Sequence, residues 1–234
     1  MLIDNTWHMK AHKGKALMLA KRELAVFVLD AVELEGIHFT LPEIKTLLEG
    51  ITVGGHKIQH QQIAVNQGNA WKSLFQSIAD HKFELSAQFA CQLHHIAGKE
   101  EALKWGQFRS GGLTVSKAIA GTDYLPPKTK VLSTLFEQMI EDANQFNDVY
   151  DKAIFVFLAM ARHQFFYDVN KRMGRFMMNG ILLSNGFPAI NLPASRQLEF
   201  NQLMLNFYQS ADYAPMTEFM RSCMKQAVIE IMCE

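Results

Sequence analysis

The sequence predicts an all-α chain, a helical bundle carrying one small β-hairpin. Runs of apolar residues at helical spacing, separated by Gly and Pro, set the class. One run, Ala153 to Ala161 (AIFVFLAMA), is apolar on every side, which marks a helix buried at the centre of a bundle. One stretch breaks the rhythm: between Trp105 and Val115 a Gly111-Gly112 pair is flanked by Phe108 and by Leu113 and Val115, a hairpin pattern.

A first helix is expected from about Lys15 to Glu35, with Leu17, Leu19, Leu24, Val28, Ala31 and Val32 on its apolar face and Gly36 as its stop. Thr40, Pro42 and Glu43 form a capping-box start, so residues 41–49 read as a short helix closed by Gly50. Residues 51–69 mix Gly, Gln and His without a clear period and read as a surface connection. Helical patterns return at about 70–79 and at 84–97, the second ended by Gly98. After the hairpin, Pro126-Pro127 opens a helix with Val131, Leu132, Leu135, Phe136, Met139 and Ile140 on one stripe. The buried helix follows and ends at His163; beyond a polar loop, a second helix runs from Arg172 to Leu183 and stops near Asn185-Gly186. Pro188 and Pro193 shape an extended link, and amphipathic helices at about 194–210 and 214–232 complete the chain.

At 234 residues, one good hydrophobic core is expected. Lys plus Arg number 23 and Asp plus Glu 23, so no global field recruits nucleic acid or an anionic membrane, and neither is expected as a partner. The first residues lack the apolar run of a signal peptide, and no stretch approaches the ~20 apolar residues of a membrane span. A cytoplasmic protein is therefore expected. Cys91, Cys223 and Cys233 are scattered and odd in number, hence free thiols, with Cys91 expected in the core.

The segment from His163 to Arg175 carries the chemistry. A His closes a rigid helix, an acid stands five residues later, and Asn170, Lys171, Arg172 and Arg175 open the next helix. The first turn of a helix offers free N–H groups and a positive dipole end to an anion, and the three cations add to that. Asp168 would hold Mg²⁺ bridging phosphate oxygens, since that ion takes one or two carboxylates plus substrate phosphates. Without the metal, an acid beside a phosphate would repel it by roughly 4 kcal/mol for unit charges about 4 Å apart at an effective dielectric near about 20. His163, with an unperturbed pKa near ~6.5, can take a proton from an incoming hydroxyl. The reaction class is phosphoryl or nucleotidyl transfer.

These residues resemble the Fic (filamentation induced by cAMP) domain family, whose motif is HxFx(D/E)GNGRxxR between two helices. His163, Phe165, Asp168, Asn170, Arg172 and Arg175 match its fixed positions, and GFPAINLPASRQLEFNQLM is similar to the segment that follows it. The resemblance implies a Fic-like helical bundle with a hairpin flap, ATP and Mg²⁺ as cofactors, and AMP transfer to a Ser, Thr or Tyr hydroxyl of a target protein. It implies that His163 deprotonates the hydroxyl and Asp168 binds Mg²⁺. Asn170 and the loop backbone, Val169 to Lys171, would hold the α-phosphate, and Arg172 with Arg175 the β- and γ-phosphates. Ser110, Gly111, Gly112, Leu113 and Thr114 resemble the flap, which docks the target by strand addition. One extra residue lies between Phe165 and Asp168. Val169-Asn170-Lys171 stands where most members have Gly-Asn-Gly, and Lys171 resembles the Doc toxins, which transfer phosphate instead.

Glu35 closes a helix, where a carboxylate meets the negative end of the macrodipole, so a compensating partner is expected. Ala31 to Gly36 is similar to the (S/T)xxxE(G/N) helix of one Fic class, Ala31 replacing the Ser or Thr. That likeness implies an inhibitory Glu35–Arg175 pair, an N-terminal region over residues 1–60 and a catalytic core over 61–234. Beside autoinhibited AMP transfer stand Doc-like phosphate transfer through Lys171, removal of AMP, and an inactive helical binding module. A homodimer is left open.

Overall fold

The computed structural model describes residues 6–110 and 119–234. The expected first helix is two: α1 (Lys13–Arg22) and α2 (Leu24–Glu33), parted at Glu23. They pack on different partners, α1 against the helices named α8 and α11 below and α2 against the next two, so tertiary packing overrides local continuity. Gly36 takes φ +75°, the left-handed conformation that suits glycine after a helix. In α3 (Leu41–Leu48) the capping box is complete, with Glu43 Oε2 accepting from Thr40 N at 2.7 Å and Thr40 Oγ1 accepting from Glu43 N.

The expected surface connection is overturned over most of its length, because α4 (Ile58–Ala79) runs through it. Its polar and small residues are buried for use. Asn66 Nδ2 donates to Lys99 O at 2.7 Å and Gln67 Nε2 to Ala97 O. Gly68 makes room for Leu48, whose Cδ2 would lie 2.1 Å from a Cβ there. A residue read as loop punctuation is thus a site of close packing between α3 and α4.

Ser86 caps α5 (Ala87–Ala97), and Gly98 ends it. α6 (Leu132–Ala143) buries Leu132, Phe136 and Met139, while Val131 in the turn before it is exposed. The central pair is α7 (Val149–His163) and α8 (Asn170–Ser184), joined by the loop 164–169. Their approach is close because residue 174 is Gly: a Cβ there would meet Phe157 O at 2.7 Å. Around them lie α9 (Gln197–Ser210), α10 (Ala214–Ser222) and α11 (Gln226–Cys233), the last two replacing the single helix expected over 214–232. Cys91 is half-buried rather than in the core; Cys223 is the buried thiol. No strand occurs among the described residues, and Gly111 to Val115 of the expected hairpin lie outside them. No helix among the described residues is long and apolar enough to cross a membrane.

Candidate functional site

The site forms where α7 ends. Gln164 adopts a left-handed conformation, φ +51°, and stops the helix, leaving last-turn carbonyls that need donors. Gln164 N bonds Met160 O at 3.1 Å and Gln164 Nε2 bonds Ala161 O at 2.6 Å. The remaining partner is Arg109, whose Nη2 donates to His163 O at 3.2 Å and whose Nε donates to Gln164 O.

His163 is mostly enclosed, and burial, then the neighbouring Arg162 charge, push it down to about 4. It is neutral at physiological pH. Its Nδ1 is buried without a hydrogen-bond partner among the described residues.

Asn170, the first residue of α8, holds the loop closed. Its Oδ1 accepts from Phe166 N at 2.8 Å, and its Nδ2 donates to Phe166 O at 2.9 Å and to Gln164 Oε1 at 3.1 Å. Both Nδ2 hydrogens are thereby spent on the loop, so Asn170 shapes the turn rather than offering its amide to a phosphate. Val169 sits at φ +65°, an outlier for a β-branched residue and the conformation natural to the Gly of the resembled motif. Its buried side chain and the Asn170 bonds hold it there.

The extra residue is absorbed without disturbing either helix. Phe166 turns inward and stacks on His94 of α5, ring centroids 3.9 Å apart, and Tyr167 turns outward to Ser110. Tyr167 Oη accepts from Ser110 N at 3.1 Å and donates to Ser110 O at 2.7 Å. His94 accepts from Gly106 N at Nδ1 and so carries its proton at Nε2, which faces Asp168 O at 3.4 Å. Fully buried, it is held down to about 4, first by desolvation. The Asp168 carboxylate is exposed, and its Oδ1 accepts from Val169 N at 2.7 Å.

The arginines differ from expectation. Arg172, 3% exposed, gives Nη1 and Nη2 to the two oxygens of Glu101, and its Nε lies 3.6 Å from Glu35 Oε1. Glu35 therefore pairs with Arg172 rather than with Arg175, although its charge still reaches Arg175 and favours that cation. Arg175 is buried beside a small cavity lined also by Gln67, Trp71, Asn179 and Asn191. Burial pushes it down to about 10, so it stays charged. Neither Arg175 nor Lys171 makes a hydrogen bond or ion pair among the described residues. His94, Glu101, Arg109 and Tyr167 were not singled out by sequence. Only Tyr167 left a trace there, as part of the one-residue excess in the loop.

The model of the Fic/DOC family matches residues 84–182. Among curated proteins, "Protein adenylyltransferase Fic" of Drosophila grimshawi is 24% identical over 93% of this chain and 45% of its own length. Its namesake from Drosophila willistoni is 25% identical over 92% and 43%. The chain thus spans about half the length of the curated relatives it matches. Among solved structures, a Fic domain containing signaling protein from Bacteroides thetaiotaomicron superposes with TM-score 0.76 at 17% identity, over 97% of this chain and 91% of the other. Fic-1 (aa134–508) from C. elegans gives 0.76 at 16% identity, over 91% and 64%. His163, the loop and α8 as far as Leu182 lie inside the segment, residues 84–182, that matches the Fic/DOC family.

Proposed function

We propose that this chain is a protein adenylyltransferase that moves AMP from ATP to a hydroxyl side chain of a target protein. The observation that carries the reading is the junction of α7 and α8: a neutral His163 at one end of the loop and unspent cations, Lys171 and Arg175, at the other. The name of the curated relatives supports AMP as the group moved.

The target hydroxyl oxygen attacks the α-phosphorus of ATP while its proton passes to His163. The new P–O bond forms as the bond from the α-phosphorus to its bridging oxygen breaks, and pyrophosphate leaves. Nε2 is the His163 nitrogen that receives the proton, because Nδ1 is enclosed. A base held down to about 4 is weak at rest, and an arriving triphosphate raises it by its negative charge. The free N–H groups at the start of α8 and the Lys171 and Arg175 charges would receive the phosphates. Asp168 fits Mg²⁺, since it is an exposed carboxylate with one oxygen free of the loop, and an ion shared with substrate phosphates needs no cage of protein ligands. Bound there, Mg²⁺ would neutralise phosphate charge. The segment from Ser110 to Thr114 would dock the target.

Glu35 keeps the resting site closed by occupying Arg172. Incubation of the Glu35→Gly variant with Mg²⁺ and ATP labelled at the α- or the γ-phosphate tests the reading. Transfer of the α-label alone, lost in His163→Ala, is expected. Transfer of the γ-label would instead support phosphate transfer, the reading that the unpaired Lys171 favours, and transfer of neither label would leave a helical binding module.

A further inference from the structure

Arg109 is an anomaly on simple grounds. It is 4% exposed and charged, yet no carboxylate among the described residues lies within ion-pair distance of it. Burying an unpaired cation costs several kcal/mol unless its donors are satisfied. Here every acceptor is a backbone carbonyl: His163 O and Gln164 O at the end of α7, and Pro127 O on the far side of the segment that follows Arg109. Its own backbone N donates to Phe165 O at 2.9 Å. The cation also stands at the negative end of the α7 macrodipole, which favours it.

We infer that Arg109 is the positioning residue of the site: its guanidinium fixes the turn that carries His163 and ties that turn to both roots, Arg109 and Pro127, of the segment between them. The inference rests on the reading of His163 as the base. A planar fork suits the task, because Nε and Nη2 reach three carbonyls in fixed directions, which an ammonium point charge cannot do. Tyr167 adds a second tie, from the loop to Ser110 next in the chain. His163 has no side-chain hydrogen bond to orient it among the described residues, so its backbone anchorage decides where the ring points.

The test is a histidine titration by NMR on the full chain, with ¹³C-labelled His and the His163 signal assigned from a His163→Gln sample. The charged groups acting on His163 are Arg162 beside it and Asp142 from α6, and Arg109 reaches only its backbone carbonyl. With the turn intact, His163 titrates near 4. In Arg109→Met the turn opens to water and the titration moves up by at least about one unit toward ~6.5. Arg109→Lys, which keeps the charge and protects against outright misfolding, moves it part of the way. Tyr167→Phe, which spares the carbonyl clamp, leaves it in place. An unmoved His163 in folded Arg109→Met and Arg109→Lys overturns the inference. Transfer of α-labelled AMP in the Glu35→Gly background is read beside it, and Arg109→Met should lower kcat about 100-fold with the KM for ATP unchanged. A shifted titration with no label transfer in any variant would leave the positioning intact and remove the proposed reaction.

Discussion

Glu35 and Arg172 meet across the junction between the end of α2 and the first turn of α8, Oε1 to Nε at 3.6 Å. The same guanidinium is held from its other side by Glu101, so two acids from separate segments share one buried cation. Removing Glu35 takes away a carboxylate 3.6 Å from Arg172 Nε and lowers the negative charge an incoming triphosphate must approach. Mg-ATP affinity, measured by calorimetry, should rise about tenfold in Glu35→Gly, or about 1.4 kcal/mol. Adding Glu101→Gln should raise it further, because the second negative charge beside Arg172 is then also removed. An affinity that Glu35→Gly leaves unchanged would remove Glu35 from any inhibitory role.

Asn170 gives a sharper structural test. Asn170→Asp keeps the acceptor for Phe166 N but loses both donors and sets a negative oxygen against Phe166 O and Gln164 Oε1. A loss of about 1–3 kcal/mol is expected for the buried acceptor left unsatisfied. Urea unfolding measures it.

Stability should fall in mild acid. His94 and His163 are each held from the ordinary 6.5 down to about 4, chiefly by burial. The unfolded chain therefore takes up protons below pH 6.5 that the folded chain refuses until about pH 4. Their contribution is complete above pH 6.5 and is lost as pH falls from there through 4. The loss approaches about 3 kcal/mol for the fully buried His94 and less for His163, which keeps some exposure. Denaturation midpoints across that window should drop in the wild type and drop less steeply in His94→Gln.

Two glycines should respond differently to alanine. At Gly174 the added Cβ meets backbone, Phe157 O at 2.7 Å, which cannot step aside, so Gly174→Ala should cost about 1–3 kcal/mol. At Gly68 the obstacle is the Leu48 side-chain tip, which can rotate, and Ala regains up to about 1 kcal/mol of helix propensity. Thermal unfolding should show a clear loss for the first and a small change for the second.

What could be read from sequence was local. The capping box of Thr40 and Glu43, the all-apolar turns of α7 and the His163-to-Arg175 segment each declare themselves within a few residues. What escaped depends on partners far along the chain. Asn66 and Gln67 look like loop residues until Lys99 O and Ala97 O are placed against them. Arg172 looks solvated until Glu101 arrives, 71 residues away, and nothing around Glu101 marks it as that partner. The break at Glu23 was equally hidden, since it follows from α1 and α2 choosing different neighbours.

Gly174, seated on the Phe157 carbonyl, has one more implication. With backbone against backbone, α7 and α8 resist sliding along each other, so His163 on one and Lys171 and Arg175 on the other are held in a fixed frame. Under the proposed inhibition by Glu35, control of the site falls outside that frame, to the end of α2 and the stretch carrying Glu101. On that proposal the acids would be the parts that shift, against a pair of helices that stays in place.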